Sequence, residues 1–473
     1  MTGADGTSKR TMGWSYYPDG SMKTRTDASA SVPADRSFAY DYDLNGNLDS
    51  VDETDRGTTT PDVYKLTHTG LNQVATVREA LSGQEPKTTS YAYDVNGLLD
   101  TIGHPQQHSK FEYDLRDLVK KVTVGQTATD PLPDVTQYAY TDRGQRATIT
   151  KVNNGNTVNY TYYANGQVRT AKELKSDGST VSSHSYAYDP NGNKSKDTAQ
   201  LLGGSGAGLM TSETAYTYDP VDRIRESDRT GSKPRTEQYW HDDNSNVTKQ
   251  LFLQTSDLTE FYYRKNRLNS SYDTFGRLKS VSHDGGQVME QNVFDGFDRL
   301  TSTVRSEGAK TTTTNYRYDA LDRTVEKNVN NVWTNEYNYL GLSSEVLSEE
   351  LDGTLSKTYA YGLGGERLSL TNHLNGDTGY YSYNSHGDVE AVTFYTGAPS
   401  STYGYSAYGQ DVRDQFTGTD ALVPPGDEPT NPYRFNGKRW NAQSGTYDMA
   451  SVTTTRPRPA SSAGTCTTAP QPT

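Results

Sequence analysis

The stretch YDYDLNGNL, from Tyr40 to Leu48, decides the fold of this chain, and YAYDVNGLL, from Tyr91 to Leu99, repeats it. Both follow the phrase aromatic-x-Tyr-Asp-x-x-Gly-x-Leu. Tyr-x-Tyr places two rings on one face of a strand, because successive side chains of a strand point to opposite faces. Asp followed by Asn-Gly supplies side-chain caps and the positive-φ position of a tight turn. The phrase therefore predicts a β-hairpin.

The phrase returns, with variations, along the chain. Clear copies are FEYDLRDLV from Phe111, YTYYANGQV from Tyr160, YAYDPNGNK from Tyr186 and YRYDALDRT from Tyr316. Spacings of 20 to 31 residues between central ring positions are typical of a repeat array. Those positions are Tyr16, Tyr42, His68, Tyr93, Tyr113, Tyr140, Tyr162, Tyr188, Tyr218, His241, Tyr272, Phe294, Tyr318, Tyr339, Tyr361 and Tyr383.

Alternating β-branched and polar residues follow each turn, as in RATITKV from Arg146 to Val152. A single hairpin cannot bury its face, but hairpins side by side join into a continuous sheet whose tyrosines pack between neighbours. The pattern predicts an all-β array of hairpins. Because the alternation is polar on both faces, the expected shape is a shell wall wetted on two sides, in which aromatic ladders do the packing.

The residues expected to build this array are the ring, the turn aspartate and the turn glycine of the clearest copies. No catalytic, cofactor-binding or metal-binding residue is predicted among them. The structural repeat positions are Tyr42, Asp43, Gly46, Tyr93, Asp94, Gly97, Tyr188, Asp189, Gly192, Tyr218, Asp219, Tyr272, Asp273, Gly276, Tyr318 and Asp319.

Composition supports an ordered but polar protein. Only 32% of the 473 residues are apolar and the mean hydropathy is −0.88, too little for a large aliphatic core. The 36 tyrosines argue against disorder. The 46 basic and 59 acidic residues are interspersed, so we expect no nucleic-acid partner. The sequence also predicts no membrane span and no N-terminal secretion signal.

Other motifs have structural interpretations that outweigh the functional ones. Asp41, Asp43, Asn45, Gly46 and Asp52 match calcium-loop spacing, but the same phrase recurs at every turn of the repeat. His241 occupies a ring position, and Asp242 and Asp243 its turn. The single cysteine, Cys466, excludes a disulfide framework and a zinc ribbon. No nucleophile elbow or zinc-spaced histidines are present, so no cofactor is expected.

The repeat resembles the YD repeat of the Rhs family, which includes bacterial polymorphic toxins, the B and C shell components of insecticidal Tc toxins, and teneurins. YAYGLGGERL from Tyr359 and NPYRFNGKRWNAQSGTYD from Asn431 are similar to the end of an Rhs core. The core-end motif residues are Pro432, Tyr433, Arg434, Phe435, Gly437, Gly445 and Tyr447. The resemblance implies a spiral of hairpins that closes into a hollow cocoon around a C-terminal toxin.

Three segments are predicted on this basis. Residues 1–358 form the hairpin array, 359–449 the core-associated segment, and 450–473 a disordered tail. The tail departs from the family at Ala450. Restoring one G to a possible coding sequence would read Gly-Phe-Arg-Asp-Tyr-Asp-Pro, the family continuation, so we interpret the tail as frameshifted and the shell as incomplete at this end. The family's self-cleaving aspartates lie beyond it, and no self-cleavage is expected.

The resemblance implies a non-enzymatic shell fragment that would encapsulate or present a C-terminal effector, outside the cell or at the bacterial surface. Its partners would be that effector or further shell segments. The alternative is a binding module for glycans or cell surfaces, because exposed tyrosines can stack on sugar rings. An enzyme is the third possibility, but it requires a site that the sequence does not reveal.

Overall fold

The computed structural model describes residues 11–27, 36–55, 61–243, 245, 247–253, 268–283, 288–307, 309–424, 427–443, 446–448 and 453–455. These residues form 37 β-strands and four short 3₁₀ turns, with no α-helix. The prediction of an all-β hairpin array is confirmed. The 3₁₀ turns are Gly204–Gly206, Arg413–Gln415, Thr419–Ala421 and Phe435–Gly437.

The first sheet contains 20 strands, each antiparallel to the next along the chain. Its strands are β1 Met12–Tyr16, β2 Met22–Asp27, β3 Arg36–Tyr42, β4 Leu48–Asp55, β5 Asp62–His68, β6 Val74–Ala80, β7 Lys87–Tyr93, β8 Leu99–His104, β9 Gln107–Tyr113, β10 Val119–Gly125, β11 Asp134–Tyr140, β12 Arg146–Lys151, β13 Asn156–Tyr162, β14 Val168–Leu174, β15 Thr180–Tyr188, β16 Lys194–Leu202, β17 Leu209–Tyr218, β18 Ile224–Gly231, β19 Arg235–His241 and β20 Val247–Leu253.

The second sheet contains 14 strands and the third sheet three, again in chain order. The second sheet comprises β21 Leu268–Tyr272, β22 Leu278–His283, β23 Val288–Phe294, β24 Leu300–Glu307, β25 Lys310–Tyr318, β26 Thr324–Val329, β27 Trp333–Tyr339, β28 Val346–Leu351, β29 Thr354–Tyr361, β30 Arg367–Asn372, β31 Asp377–Tyr383, β32 Val389–Thr393, β33 Pro399–Thr402 and β34 Thr417–Gly418. The third comprises β35 Arg439–Asn441, β36 Thr446–Asp448 and β37 Thr453–Thr455. The predicted boundary between residues 358 and 359 falls inside β29.

Most hairpins share one local geometry. The first strand ends at the repeat tyrosine, the register shifts by one residue there, and a return strand follows the turn, as at Tyr93↔Leu99. The turn requires a left-handed residue, which is Gly97 at φ +82° in this hairpin. Where glycine is missing, aspartate or asparagine adopts this conformation, as Asp322 does at φ +61°. The segments YDPVDRI, from Tyr218, and YRYDALDRT, from Tyr316, lack the turn glycine and still form hairpins for this reason.

The two large sheets pack on each other. In β3, burial alternates along the strand, so the first sheet has one covered face. In β32, all five residues are buried, so that strand of the second sheet is covered on both faces. The Phe38 and Phe297 rings meet across the sheets at 5.1 Å. The expectation of a wall wetted on two sides is therefore wrong at β32, because the first sheet covers one face of this strand and the chain after β33 covers the other.

Two segments outside the YD hairpins make ordered contacts. The GGSGAG segment at 203–208 packs against the second sheet through Gly204, whose N–H donates to Thr417 Oγ1 at 2.6 Å. A Cβ on Gly204 would lie 2.7 Å from the Ser400 carbonyl oxygen, so the small residue permits the approach. Within the predicted tail, Thr453–Thr455 pairs with Thr446–Asp448. These three residues of the predicted tail form a strand, since threonine favours extended backbone. Gly445, Cys466 and the rest of 450–473 lie outside the described residues.

The turn geometry yields a first prediction. Gly97→Val should lower the free energy of unfolding by roughly 1 kcal/mol or more, because a β-branched residue is strained at positive φ. Gly70 offers the matched control, since it has no neighbouring atom within 4 Å and no positive φ. Gly70→Val should change stability much less in urea unfolding. Equal losses at both glycines would contradict this turn geometry.

Candidate functional site

Where the turn has an aspartate, its carboxylate holds the hairpin end through backbone hydrogen bonds. Asp94 Oδ1 accepts from the N–H groups of Asn96 and Leu98 at 2.8 and 2.9 Å, and the Gly97 N–H donates to the Asp94 carbonyl at 3.0 Å. Paired caps of this kind also occur at Asp43, Asp114, Asp219, Asp273, Asp295 and Asp319. In Asp43, hydrogen bonds from the Asn47 side chain and backbone lower the pKa. These carboxylates are engaged by their own turns.

In most hairpins, the repeat tyrosine joins the hairpin to the one before it. The Tyr93 hydroxyl donates to the carbonyl of Val74, the first residue of the preceding return strand, at 2.9 Å. The β6–β7 ladder runs only from Thr76↔Ser90 to Glu79↔Lys87, so the tyrosine satisfies a carbonyl beyond the end of the ladder. We call this contact the tyrosine staple. It recurs at Tyr113, Tyr140, Tyr162, Tyr188, Tyr218, Tyr318, Tyr339, Tyr361, Tyr383 and Tyr405.

A second link runs between the turns themselves. The residue four positions after the turn aspartate reaches the next turn, as when Arg323 Nη1 donates to the Gly341 carbonyl at 2.7 Å. Its Nε also donates to Asp319 Oδ2 at 2.8 Å. The same Asp–Arg pair forms at Asp219–Arg223, Asp273–Arg277 and Asp295–Arg299. Sequence reasoning missed this role, although the recurring Asp-x-x-x-Arg spacing signals it.

Some predicted positions depart from the pattern. Tyr42 packs edge-on against Tyr17 with ring centroids 6.1 Å apart, and no staple from it is observed among the described residues. Tyr272 ends the first strand of the second sheet and remains 43% exposed. His241 fills a ring position as predicted, and its Nε2 hydrogen-bonds with the Tyr408 hydroxyl at 2.9 Å. Gly46, Gly192 and Gly276 all have positive φ, as the turn requires.

The core-end motif lies in residues 403–448, which we call the closing segment. This segment covers the tyrosine face of the second sheet, where Tyr433 packs on Tyr359 with centroids 5.0 Å apart. The Arg367 guanidinium sits 3.2 Å from the centre of the Tyr433 ring and donates from Nη1 to the Gly437 carbonyl at 3.1 Å. Its Nη2 donates to the Tyr361 hydroxyl at 2.9 Å. Arg367 therefore joins a staple tyrosine to the closing segment.

The other core-end residues form one cluster. Arg434 pairs with Asp411, and the Tyr447 hydroxyl donates to Asp411 Oδ1 at 3.0 Å. The Pro432 carbonyl accepts from the Trp440 N–H at 2.7 Å. A Cβ on Gly409 would lie 2.5 Å from the Phe435 ring, so only glycine permits this packing. The motif residues that the structure describes therefore meet in one place, as their proximity in sequence suggests.

A buried ion cluster anchors the same segment. Arg439 Nη2 donates to Glu349 Oε2 at 3.0 Å and to Glu428 Oε1 at 2.5 Å. Lys327 Nζ donates to Glu428 Oε2 at 3.3 Å and to Gln443 Oε1 at 3.2 Å. Burial lowers the pKa of Lys327 to about 8, although Glu428 opposes the shift. Burial raises the pKa of Glu428, but Arg439 and Lys327 outweigh it and hold that pKa below its usual range.

His184 links the two large sheets. Its Nδ1 contacts Asp197 Oδ1 at 3.0 Å, and its Nε2 contacts Glu390 Oε2 of the second sheet at 2.7 Å. Burial lowers the pKa of His184, but Glu390 and Asp197 outweigh it and raise that pKa to about 10. The imidazole is therefore charged at neutral pH and donates to both carboxylates. This inter-sheet bridge was not predicted from the sequence.

No group of three or more metal-ligating side chains occurs in the part of the chain that the structure describes. The same residues contain no helix long and apolar enough to span a membrane. The geometry is that of a structural assembly: capped turns, stapled hairpins and a closing segment fixed by buried ions. These features define the described residues as an all-β array of hairpins with a segment packed over it.

Solved structures identify which shell fold this is. The chain superposes on TcdB2-TccC3-Cdc42 with a TM-score of 0.69 and 16% identity, over 95% of this chain and 27% of that one. The Photorhabdus luminescens Tc holotoxin pore gives a TM-score of 0.69 and 15% identity, over 97% of this chain and 26% of that one. The chain has the fold of these Tc toxin structures, so the predicted resemblance to Tc toxin components is confirmed at the level of the fold.

The chain is also similar in sequence to part of two curated nucleases. The chain is 27% identical over 317 residues to the tRNA3(Ser)-specific nuclease WapA of Bacillus spizizenii, covering 57% of this chain and 13% of that protein. It is 26% identical, with the same coverage, to the tRNA nuclease WapA of Bacillus subtilis. The chain thus spans about one eighth of the length of these relatives. No family model matches it.

The staple predicts a specific cost of removing one hydroxyl. Tyr339→Phe should lower the free energy of unfolding by about 1–3 kcal/mol, because the Thr324 carbonyl would lose the partner that it has at 2.6 Å. Tyr395→Phe is the control, since Tyr395 is 76% exposed. Chemical unfolding of both variants measures the difference. Equal stability of the two would contradict a staple that contributes to folding.

The His184 bridge predicts a pH dependence. The folded pKa of about 10 lies above the ordinary value of 6.5, so the bridge's stabilisation is full below pH 6.5 and is lost as the pH rises through 10. The stability difference between wild type and His184→Gln should therefore shrink by up to about 1.4 kcal/mol per pH unit across this range.

His104 supplies the control for this experiment. Burial lowers its pKa to about 4, so His104 is neutral above pH 7 in both folded and unfolded states. His104→Gln should shift stability by a constant amount between pH 7 and pH 10. A His184→Gln difference that stays constant over the same interval would show that the imidazole is not charged in the bridge.

Proposed function

We propose that this chain is a non-enzymatic segment of an Rhs-type shell that encapsulates or presents a toxin effector carried C-terminal to it. The observation that carries the proposal is the staple network, which recurs in both large sheets and resumes in the closing segment at Tyr405. Such a network makes a stiff wall from a sequence with few aliphatic residues. The likeness in fold to Tc toxin shells supports the same role.

The relatives suggest the class of cargo. WapA proteins are named as tRNA nucleases, and this chain spans only 13% of their length. A nuclease effector is therefore the cargo that we propose, with the protein acting outside the cell or at the bacterial surface. Among the described residues, many acidic side chains have structural partners. The turn aspartates cap turns. Four further acids form buried ion pairs: Glu349, Glu428, Asp411 and Glu390.

Glycan binding is the second candidate function. Trp14 and Tyr395 are exposed by 49% and 76%, and such rings can stack on sugars. The staples favour the structural role, because most repeat tyrosines use their hydroxyls on backbone carbonyls. Saturable binding on a glycan array that is lost in Trp14→Ala or Tyr395→Ala would favour the second candidate.

Encapsulation predicts protease protection. In a full-length protein that contains this chain, the residues that follow the shell should resist trypsin under native conditions. Arg439→Met should shorten that protection, because it leaves Glu349 and Glu428 without their shared cation and loosens the closing segment. Arg116→Met, in an exposed turn pair, is the control. Equally fast digestion of the wild type and Arg439→Met would contradict encapsulation.

A tRNA cleavage assay tests the proposed non-enzymatic role. Purified chain of the present sequence should leave total tRNA intact over hours, as judged by denaturing gels. Cleavage above that of a heat-denatured sample would place a nuclease within these residues and overturn the assignment.

A further inference from the structure

A lysine, a glutamine and a glutamate meet in the buried ion cluster beneath the closing segment. Lys327 lies in β26 of the second sheet, whereas Glu428 and Gln443 belong to the closing segment. Lys327 Nζ lies 3.2 Å from Gln443 Oε1 and 3.3 Å from Glu428 Oε2. Only 1% of Lys327 and 5% of Gln443 are exposed. An amine, a carboxamide and a carboxylate are therefore held together away from solvent.

The amine is suited to act as a nucleophile. A lysine attacks a carbonyl carbon only in its neutral form, and burial favours that form. Burial lowers the pKa of Lys327 from 10.5 to about 8, although Glu428 opposes the shift. A neutral fraction of this amine is therefore present near neutral pH. Its Nζ contacts the carboxamide oxygen of Gln443, which is bonded to the carbon that the amine would attack.

Glu428 occupies the position of a proton relay. Its Oε2 accepts from Lys327 Nζ at 3.3 Å and from Gln443 Nε2 at 3.5 Å, so it joins the attacking nitrogen to the nitrogen that would leave. Its Oε1 accepts from Arg439 Nη2 at 2.5 Å, which fixes the carboxylate in place. Although burial raises the pKa of Glu428, Arg439 and Lys327 outweigh that effect. Glu428 is therefore ionised and acts as a base, which leaves the Gln443 carboxamide as the electrophile.

We propose that Lys327 and Gln443 form an intramolecular isopeptide bond. Lys327 first loses one proton to solvent, and its neutral Nζ attacks the side-chain carbonyl carbon of Gln443. As the new C–N bond forms, Glu428 Oε2 takes a proton from Nζ and passes it to Gln443 Nε2. The bond between the carbon and Nε2 then breaks and releases ammonia, which takes up the proton from solvent. The reaction consumes no oxidant, reductant or other reactant, so folding of the chain is sufficient to bring it about.

The bond fastens the closing segment covalently to the second sheet. Lys327 and Gln443 are 116 positions apart in the chain, so the cross-link closes a long loop and restricts the unfolded state. The ionic contacts of Glu428 and Arg439 position the reacting groups, and the covalent bond makes the closure permanent. This inference does not rest on encapsulation, which protease protection tests separately.

Mass spectrometry of the intact, purified chain tests the proposal. The wild type should be lighter than its sequence by one ammonia molecule, and tandem spectra should contain the tryptic peptide of Lys327 joined to that of Gln443. Lys327→Arg keeps a cation at this position but cannot form the amide, so it should retain the full sequence mass. Glu428→Gln removes the relay and should leave most of the chain unlinked.

Two controls locate the loss of ammonia. Lys121→Met removes a partly exposed lysine that pairs with Glu112, and this variant should remain cross-linked. Asparagine followed by glycine can also lose ammonia by forming a succinimide, but that ring hydrolyses in mild base, whereas an isopeptide bond persists. A wild-type mass equal to the sequence mass, or a loss confined to an Asn-Gly step, would overturn the proposal. The wild-type result decides the matter even where a variant fails to fold.

Discussion

The hydrogen bond from a repeat tyrosine to the first carbonyl of the preceding return strand is the constraint on which the sheets depend. Backbone pairing between neighbouring hairpins stops two residues short of the turns, as between β12 and β13, where it begins at Thr148↔Asn159. Without the Tyr162 hydroxyl, the Arg146 carbonyl would lack the partner that it has at 2.7 Å. The tyrosine therefore satisfies a backbone group and fixes the register of adjacent hairpins together.

This constraint explains how a sequence with 32% apolar residues builds two large sheets. Each tyrosine buries a ring and satisfies its hydroxyl in one contact, so fewer aliphatic residues are needed. Where the sheets meet, buried charges are paired across the joint, as His184 is with Glu390. Such pairs contribute modestly when formed, but breaking one leaves an uncompensated buried charge that costs several kcal/mol. Such pairs therefore disfavour any packing of the two sheets that would separate their charges.

Short-range patterns were readable from the sequence, and long-range ones were not. Tyr-x-Tyr-Asp and Gly97 predicted the hairpins, because turn chemistry and strand alternation are local. The staples could not be predicted, since Tyr93 meets Val74 only after neighbouring hairpins align. The Arg367 contact with Tyr433 and the Arg439 cluster depend on how the closing segment folds over the second sheet. The close approach of Gly204 to Ser400 also joins residues that are far apart in the sequence.

Amide hydrogen exchange across one hairpin boundary tests the central claim most directly. In Tyr162→Phe, exchange should accelerate at the amides of residues 146–148 and 159–162, where β12 meets β13, and remain unchanged at the far end of β13 near Asn156. Uniform acceleration across the hairpin, or none, would contradict the claim that the tyrosine hydroxyl joins neighbouring hairpins where their backbone ladder ends.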